Sequence, residues 1–265
     1  MAGILSPVRL ATWNVNGLRS RLGFVLHWLA ARRPDVVGLQ ELKLEQDQFP
    51  RLAFEAAGYR AVVQGQKAWN GVAILSREPA EVEQVGLPGQ EAAGARLLTA
   101  SIAGLSFTTL YVPNGKDVDH EDFPRKLAWL DALAEHLAAR RDPVRPLVVC
   151  GDFNVCPTAL DTWDEAGMRG EIFHTTEERA RIAGLLEGGL HDVFRETHPG
   201  ERVFSWWDYR GGAFHRGQGL RIDLLLATSP ALARVRSATI DREYRKKQGD
   251  LIPSDHAPML VDLAP

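Results

Sequence analysis

Strand-like runs in this sequence repeatedly begin or end beside a side chain that can bind a metal ion or a phosphate group. These side chains lie far apart along the chain, at Asn14, Glu41, Tyr111, Asp152, Asn154, Asp255 and His256. They can form one site only if a packed sheet brings the strand ends to a common edge. Because carboxylate oxygens suit a hard cation such as Mg2+, the pattern predicts a metal-dependent hydrolase.

Helical and strand-like segments alternate along the 265 residues, which is typical of an α/β protein whose sheets are covered by helices. Strand signals continue from residue 8 to residue 261 without a linker, so we expect one domain spanning residues 1–265. Helices are predicted to start near Ser20, after Asp122 and near Thr175. The second of these is predicted to bury a stripe formed by Phe123, Leu127, Leu130, Leu133 and Leu137.

Charge and cysteine content restrict the cellular setting and the partners. With 31 Lys and Arg against 34 Asp and Glu, the formal charge is −3, so a nucleic-acid partner would need a local basic face. Two cysteines are too few for a disulfide framework and fit a reducing compartment. No apolar run reaches membrane-spanning length, and residues 1–8 lack the order of a signal peptide. We therefore expect a cytoplasmic protein that does not contact a membrane.

The strongest local motif is Gly-Asp-Phe-Asn at residues 151–154, directly after an apolar strand. Asp152 and Asn154 point the same way if the chain stays extended. The carboxylate of Asp152 can ligate a metal or hold an attacking water, and the amide of Asn154 can donate to a phosphate oxygen. The alternative is an Asx-type turn that simply closes the strand, and the residues alone leave both interpretations open.

A second pairing is predicted between Asp223 and His256. Asp223 lies within an otherwise apolar strand, where an acid is costly unless it has a partner. His256 needs a carboxylate to fix its tautomer, and Asp223 is the natural candidate. The alternative is an edge strand with Asp223 in solvent. Glu41, at the end of another strand, is predicted to be the best single metal ligand of the chain.

Six motifs together resemble the exonuclease III family of abasic-site endonucleases, within the DNase I-like superfamily. They are Trp-Asn-Val-Asn-Gly-Leu-Arg at 13–19, Leu-Gln-Glu at 39–41, Tyr-Val-Pro-Asn-Gly at 111–115, Gly-Asp-Phe-Asn at 151–154, Leu-Arg-Ile-Asp at 220–223 and Ser-Asp-His-Ala-Pro at 254–258. The resemblance implies a four-layer α/β/β/α sandwich and a Mg2+-dependent monomer, with Mn2+ able to substitute. It also implies cleavage of double-stranded DNA on the 5′ side of abasic sites, with 3′-to-5′ exonuclease and 3′-phosphatase activity on blocked 3′ ends.

The same resemblance implies roles for individual residues. Tyr111, Asp152, Asn154, Asp223 and His256 would be catalytic. Glu41 would be the main metal ligand, with Asn14 and Asp255 near the same ion. A second ion would use Asp152, Asn154 and His256. The implied DNA contacts are a sugar pocket formed by Trp206, Leu220 and Ile222, a residue reaching into the duplex, Arg210, and backbone contacts from Arg19, Trp69 and Asn114.

Two other functions stay open at this stage. The same fold could hydrolyse another phosphodiester, such as an inositol phosphate or sphingomyelin. A non-catalytic nucleic-acid-binding regulator would have lost its acids, whereas Glu41, Asp152, Asp223 and Asp255 are all present.

Several residues are predicted to have only structural or surface roles. Trp207 is expected in the core, and His191-Asp192 at a turn or a helix end. Surface positions are expected for the other histidines, namely His27, His120, His136, His174, His198 and His215. A contact of the basic run Arg242, Arg245, Lys246 and Lys247 with the DNA backbone is left open.

Overall fold

The computed structural model describes residues 7–140 and 142–265, so the N-terminal run behind the signal-peptide expectation lies largely outside it. Its helices are α1 (Leu18–Arg32), α2 (Arg51–Ala56), α3 (Asp122–Ala139), α4 (Thr176–Glu187), α5 (Val193–Thr197) and α6 (Ser229–Leu232). Its strands are β1 (Val8–Asn14), β2 (Val36–Gln40), β3 (Arg60–Gln64), β4 (Val72–Ser76), β5 (Ala80–Val85), β6 (Leu97–Ile102), β7 (Leu105–Tyr111), β8 (Leu147–Asp152), β9 (Leu190–Asp192), β10 (Asp223–Thr228), β11 (Val235–Ile240) and β12 (Met259–Leu263).

The strands form two six-stranded mixed sheets. The first has the order β11-β12-β1-β2-β4-β3, and the second has the order β5-β6-β7-β8-β10-β9. Within them β1 runs parallel to β2 and β7 parallel to β8, while the other pairs are antiparallel. The two sheets pack face to face over an apolar core that includes Leu10, Ile74, Phe107, Val148, Leu225 and Val261.

Helices cover the outer face of each sheet. Phe24 and Trp28 of α1 and Phe54 of α2 share one apolar cluster with residues of β1, β2 and β4 on the first sheet. On the other side, Leu133 of α3 and Ile182 of α4 pack against the second sheet. The alternation of side chains along each strand supplies both the shared core and the outer contacts. The predicted four-layer α/β/β/α sandwich is therefore confirmed.

Local details differ from the sequence expectation in three places. Helix α1 starts at Leu18, before Ser20, because Gly17 with φ of 100° turns the chain into the helix. The buried stripe of α3 comprises Lys126, Trp129, Leu130, Leu133 and Leu137, so Phe123 and Leu127 were wrongly assigned to it. His174 is buried, against the surface position expected for it.

Other local predictions are confirmed. Thr175 caps α4 and forms a reciprocal capping box with Glu178. Trp207 lies in the core, and Asp192 caps α5 by accepting from the backbone of Arg195. Among the residues that the structure describes, no helix combines the length and the apolar character needed to cross a bilayer.

Strand direction explains how the distant residues come to one edge of the sandwich. Because β1 and β2 run parallel, Asn14 pairs with Gln40, and Glu41 follows directly. In the second sheet Tyr111 pairs with Asp152 for the same reason, and β10 starts where β8 ends, with Asp223 opposite Asp152. His256 comes just before β12, whose first residue lies opposite β1 near its end.

Candidate active site

Three ionisable side chains converge where the two sheets meet at this edge. Glu41, Asp152 and His256 each offer a ligand atom, and these atoms lie within 4.8 Å of one another. The amide nitrogen of Asn14 donates to Glu41 Oε1 at 2.7 Å and to Asp152 Oδ2 at 2.9 Å. Asn14 therefore ties a carboxylate of the first sheet to one of the second.

The backbone leaves the strands through unusual conformations at this edge. Glu41 has φ of 53° and Asn154 has φ of 51°, in the left-handed region that few residues other than glycine adopt. Gly151 has φ of 149°, and a Cβ there would overlap the carbonyl oxygen of Leu110 on the neighbouring strand. Positive φ at two adjoining strand ends turns the side chains sharply out of the sheets, which is a kind of strain found at functional sites.

His256 and Asp223 form the predicted buried pair. The Nδ1 atom of His256 lies 2.8 Å from Asp223 Oδ2, and its Nε2 atom lies 3.8 Å from Asp152 Oδ2. Asp223 is fully buried, so the alternative of a solvent-exposed edge position is wrong. The backbone N–H groups of Ile222 and Asp223 donate to Ser205 Oγ, which fixes the start of β10.

The charges in this group perturb one another strongly. Burial lowers the pKa of His256, but the carboxylates of Asp223, Asp152 and Asp255 outweigh burial and raise it to about 10. Burial raises the pKa of Asp152 to about 7, helped by the negative charges of Asp223 and Glu41 and opposed by His256. The site thus holds an imidazolium beside a carboxylate that accepts a proton near neutral pH.

The Asx-type turn that the sequence left open is present at Asp152 and Asn154, and it leaves one carboxylate oxygen of Asp152 for the catalytic interpretation. The backbone N–H of Asn154 donates to Asp152 Oδ1 at 2.9 Å, which is an Asx-type contact. Asp152 Oδ2 nevertheless faces Asn14 and His256. The side-chain amide of Asn154 donates to the carbonyl of Val112, and that of Asn114 lies 3.5 Å from Asn154 Oδ1.

Tyr111 lies against the acidic group. Burial raises its pKa well above the ordinary value, and the negative charges of Glu41 and Asp152 act in the same direction. Arg96 stacks over the ring at 4.7 Å and donates to the Tyr111 carbonyl at 3.1 Å. Sequence reasoning missed Arg96, because this residue lies fifteen residues from Tyr111 along the chain, directly before β6.

Lys43 is a second residue that sequence reasoning missed. Its Nζ atom lies 2.8 Å from Glu41 Oε2 and 2.6 Å from Asn16 Oδ1. Its place two residues after Glu41 was the available signal.

Asp255 differs from the other acids. Its oxygens accept from the side-chain amide of Asn16 at 2.8 Å and from the indole N–H of Trp206 at 3.0 Å. It lies outside the group formed by Glu41, Asp152 and His256, which is the one set of three such ligands found among the described residues. Burial would raise the pKa of Asp255, but His256 and these donors lower it.

The donor set fits a hard divalent cation. Two carboxylates, those of Glu41 and Asp152, converge beside the imidazolium of His256, and carboxylate oxygen is the preferred ligand of Mg2+ and Mn2+. The Lys43 ammonium already balances Glu41, and the pKa of Asp152 is raised by burial and, less strongly, by the negative charges of Asp223 and Glu41, which a cation would relieve.

The residues predicted to contact DNA are not equivalent. Trp69 is exposed, and Arg19 and Arg210 are solvent-facing side chains with partners in Gln48 and Asp208. Trp206, Leu220 and Ile222 share one apolar cluster with Cys156, Met168 and Phe173. Leu220 is only 1% exposed and Ile222 only 2%, so the predicted pocket wall is covered.

The basic run before the Ser-Asp-His motif is only partly available to a ligand. Arg245 is buried and donates to the carbonyls of Asp255 and Trp207. Arg242 stacks on Phe214, and Lys246 pairs with Glu243.

Comparisons with known proteins agree with this geometry. Residues 11–256 match the model of the endonuclease/exonuclease/phosphatase family. Exodeoxyribonuclease III of Haemophilus influenzae is 34% identical over 96% of this chain and 99% of its own length. An AP endonuclease structure from Archaeoglobus fulgidus is 38% identical with a TM-score of 0.92, covering 97% of this chain and 99% of that one. The 3′ phosphatase NExo from Neisseria, bound to a product DNA hairpin, is 37% identical with the same TM-score and the same coverage. The chain therefore belongs to the endonuclease/exonuclease/phosphatase family.

Proposed function

We propose that this protein is a Mg2+-dependent DNA repair phosphodiesterase that cleaves duplex DNA 5′ to abasic sites. It also removes nucleotides and phosphates from 3′ ends at the same site, and it acts as a monomer. The observation that carries the proposal is the convergence of Glu41, Asp152 and His256, with Asp223 behind the imidazole. Exodeoxyribonuclease III and AP endonuclease relatives over nearly the full chain support it.

In the proposed reaction Asp152 takes a proton from the attacking water. As the water oxygen bonds to phosphorus, the bond from phosphorus to the 3′ oxygen breaks, and the departing 3′ oxygen takes a proton from solvent, leaving a 3′-hydroxyl and a 5′ deoxyribose phosphate. The raised pKa of Asp152, about 7, makes its carboxylate a suitable base near neutral pH. His256, held protonated by Asp223, donates to a phosphoryl oxygen while negative charge develops there.

The neighbouring groups position these two. Asn154 would donate to the phosphate without adding negative charge, and Tyr111 would border the reacting group. A divalent cation held by Glu41, with Asp152 and His256 beside it and Asn14 and Asp255 close by, would neutralise charge on the phosphate. Mn2+ has similar ligand preferences and should substitute for Mg2+.

We assign recognition of the abasic sugar to the partly exposed ring of Trp206, with the buried side chains of Leu220 and Ile222 forming the apolar support behind it. A sugar without a base swings out of the helix cheaply, and an apolar pocket would exclude a nucleotide that keeps its base. Exposed Trp69, together with Arg19, Asn114 and Arg210, would contact the surrounding DNA.

A second candidate is processing of 3′ ends without efficient internal cleavage. Leu220 and Ile222 are buried beneath Phe173, Met168 and Trp206, whereas a terminal phosphate needs no pocket for an extruded sugar. Similarity to the Neisseria 3′ phosphatase supports this alternative as well.

A time course with two labelled duplexes separates the candidates. One duplex carries a single internal abasic analogue and the other a recessed 3′ phosphate, each with and without Mg2+ and resolved on a sequencing gel. The leading proposal predicts metal-dependent cleavage of both, and Asp152→Asn should abolish both. Conversion of the 3′ phosphate alone would favour the second candidate, and no product from either duplex would refute the proposed function.

A further inference from the structure

Lys126 is a buried cation that none of the steps above uses. It lies on α3, and its side chain is fully buried. Its ammonium group donates to the backbone carbonyl of Asn154 at 2.6 Å and to that of Asn114 at 3.2 Å. The third partner is the equally buried carboxylate of Glu178 at the start of α4. The three donors of the ammonium group thus have three acceptors on different segments.

The two carbonyls belong to the loops that follow β7 and β8. Asn114 and Asn154 are the residues on these loops whose side chains are proposed to face DNA and the reacting phosphate. Gly115, with φ of 86°, lies directly on the lysine stem, since a Cβ there would be 3.0 Å from Lys126 Cδ. The side chain of Lys126 therefore fixes the position of both loops relative to the second sheet.

Glu178 anchors this arrangement from the other side. Its Oε1 atom accepts from the backbone N–H of Phe173, and its Oε2 atom accepts from the backbone and hydroxyl of Thr175. A buried ion pair contributes little net stability, because removing both charges from water costs as much as the pair returns. The contacts of the Lys126 ammonium group with the two loop carbonyls point instead to the geometry that the pair imposes.

We propose that Lys126, supported by Glu178, is a positioning residue that aligns Asn154 and Asn114 with Asp152 at the reacting phosphate. Lys126 does not itself touch the substrate. This inference rests on the proposed function, since it assigns those two asparagines a role in phosphate hydrolysis. Loss of the lysine would let the two loops shift, and with them the backbone N–H of Asn154 that donates to Asp152 Oδ1, while the contacts of the active-site group with Asn14, Lys43 and Asp223 remain.

The test compares Lys126→Met with Leu133→Ala. Met retains most of the stem, and Glu178 keeps its donors from Phe173 and Thr175. Leu133 lies two turns further along α3 and is buried, so its truncation destabilises the same helix away from the loops. Lys126→Met/Glu178→Gln removes both charges and serves if the single variant does not fold.

The variants are compared in kcat and KM on the abasic duplex, in Mn2+ affinity by electron paramagnetic resonance, and in amide hydrogen exchange. We expect kcat of Lys126→Met to fall at least about tenfold, because small displacements of positioning groups slow catalysis strongly. The Mn2+ affinity should be unchanged, and exchange at the amides of Asn154 and Lys116 should accelerate. Leu133→Ala should lose thermal stability yet keep kcat and these two exchange rates.

Two results would overturn the positioning role. One is unchanged exchange at Asn154 and Lys116 in Lys126→Met. The other is a kcat no lower than that of Leu133→Ala when both are fully folded. Failure of the proposed function looks different, because the wild-type protein would then cleave neither duplex while the exchange comparison still reports on the loops.

Discussion

Replacement of Asp223 by Asn tests the electrostatic logic of the site most directly. The substitution keeps the shape of the side chain and removes one charge 2.8 Å from His256 Nδ1, where both residues are buried. Asp223 is the main reason that the pKa of His256 reaches about 10 despite the opposing effect of burial. Without it, burial should dominate, and the pKa of His256 should fall toward or below its ordinary value of 6.5.

The size of the effect follows from this difference. A fall in pKa from about 10 to 6.5 corresponds to about 5 kcal/mol of lost preference for the imidazolium. Asp152 and Asp255 still favour the charged form, so a smaller fall is expected. A shift of one pKa unit requires only about 1.4 kcal/mol of this lost preference. We therefore expect the alkaline limb of the rate profile to move to lower pH by at least about one unit.

The sign of the change is fixed for the alkaline limb of the profile. Activity falls as pH rises through the pKa of His256, because the imidazolium then loses its proton. Asp223→Asn should therefore move the alkaline limb to lower pH, with a severe loss of kcat in the alkaline range.

The assay is a kcat profile from acid to alkaline pH, with the His256 imidazole followed by NMR in the same samples. Asp262→Asn is the control, because this half-buried acid pairs with Arg9 at the far end of β1 and should leave the profile unmoved. An unshifted alkaline limb in Asp223→Asn would refute the reasoning. So would an Asp223→Asn/His256→Asn double variant whose loss equals the sum of the single losses, because a coupled pair is not additive.

Three further predictions concern the metal, the pocket and the sheet packing. Glu41→Gln should weaken Mn2+ binding and lower activity at limiting metal, with partial recovery at high metal, since an amide is a poor ligand for a hard cation; unchanged metal dependence would contradict this. Trp206→Phe removes the indole N–H that donates to Asp255 but keeps an aromatic side chain, so it should change metal affinity more than selectivity for abasic sites. Trp206→Ala should reduce cleavage at abasic sites more than hydrolysis of a generic phosphodiester. Equal losses of Trp206→Ala on both substrates would assign Trp206 to the scaffold. Gly38→Ala places a Cβ 2.6 Å from Thr109 Oγ1 and should lower the melting temperature and kcat together. A variant with an unchanged melting temperature by calorimetry and an unchanged kcat would disprove this.

The sequence was most informative where a residue conflicted with its surroundings. An acid in an apolar strand had to be paired, and this predicted the contact between Asp223 and His256 across 33 residues. The strand ends were likewise visible as apolar runs closed by polar residues. Hydrophobic periodicity is a local signal, so it located elements well and predicted the sandwich once the motifs were combined.

Contacts that depend on the third dimension were not predictable in the same way. Lys126 lies on the same face of α3 as Leu130, Leu133 and Leu137, but nothing local marks a lysine there as buried, and its partner Glu178 lies 52 residues away. The burial of Leu220 and Ile222 depends on Phe173 and Met168, which enter from a separate loop. Asp255 illustrates the same limit, since no local pattern reveals that its oxygens accept from Asn16 and Trp206.

The division of the site between the two sheets explains why this architecture suits the chemistry. Asn14, Glu41 and His256 come from the first sheet, whereas Asp152 and Asp223 come from the second.

Neither sheet by itself supplies the proposed base, the proposed acid and all of the metal-binding residues. Hydrogen bonds across the interface join the halves: Asn14 to Asp152, His256 to Asp223 and, one layer deeper, Gln40 to Thr109. Because close-packed cores transmit small shifts rather than absorbing them, the spacing of the sheets sets the spacing of the charges. Burial of Asp152 in this interior, together with the negative charges of Asp223 and Glu41 held beside it, raises the pKa of Asp152 into the range of a useful base.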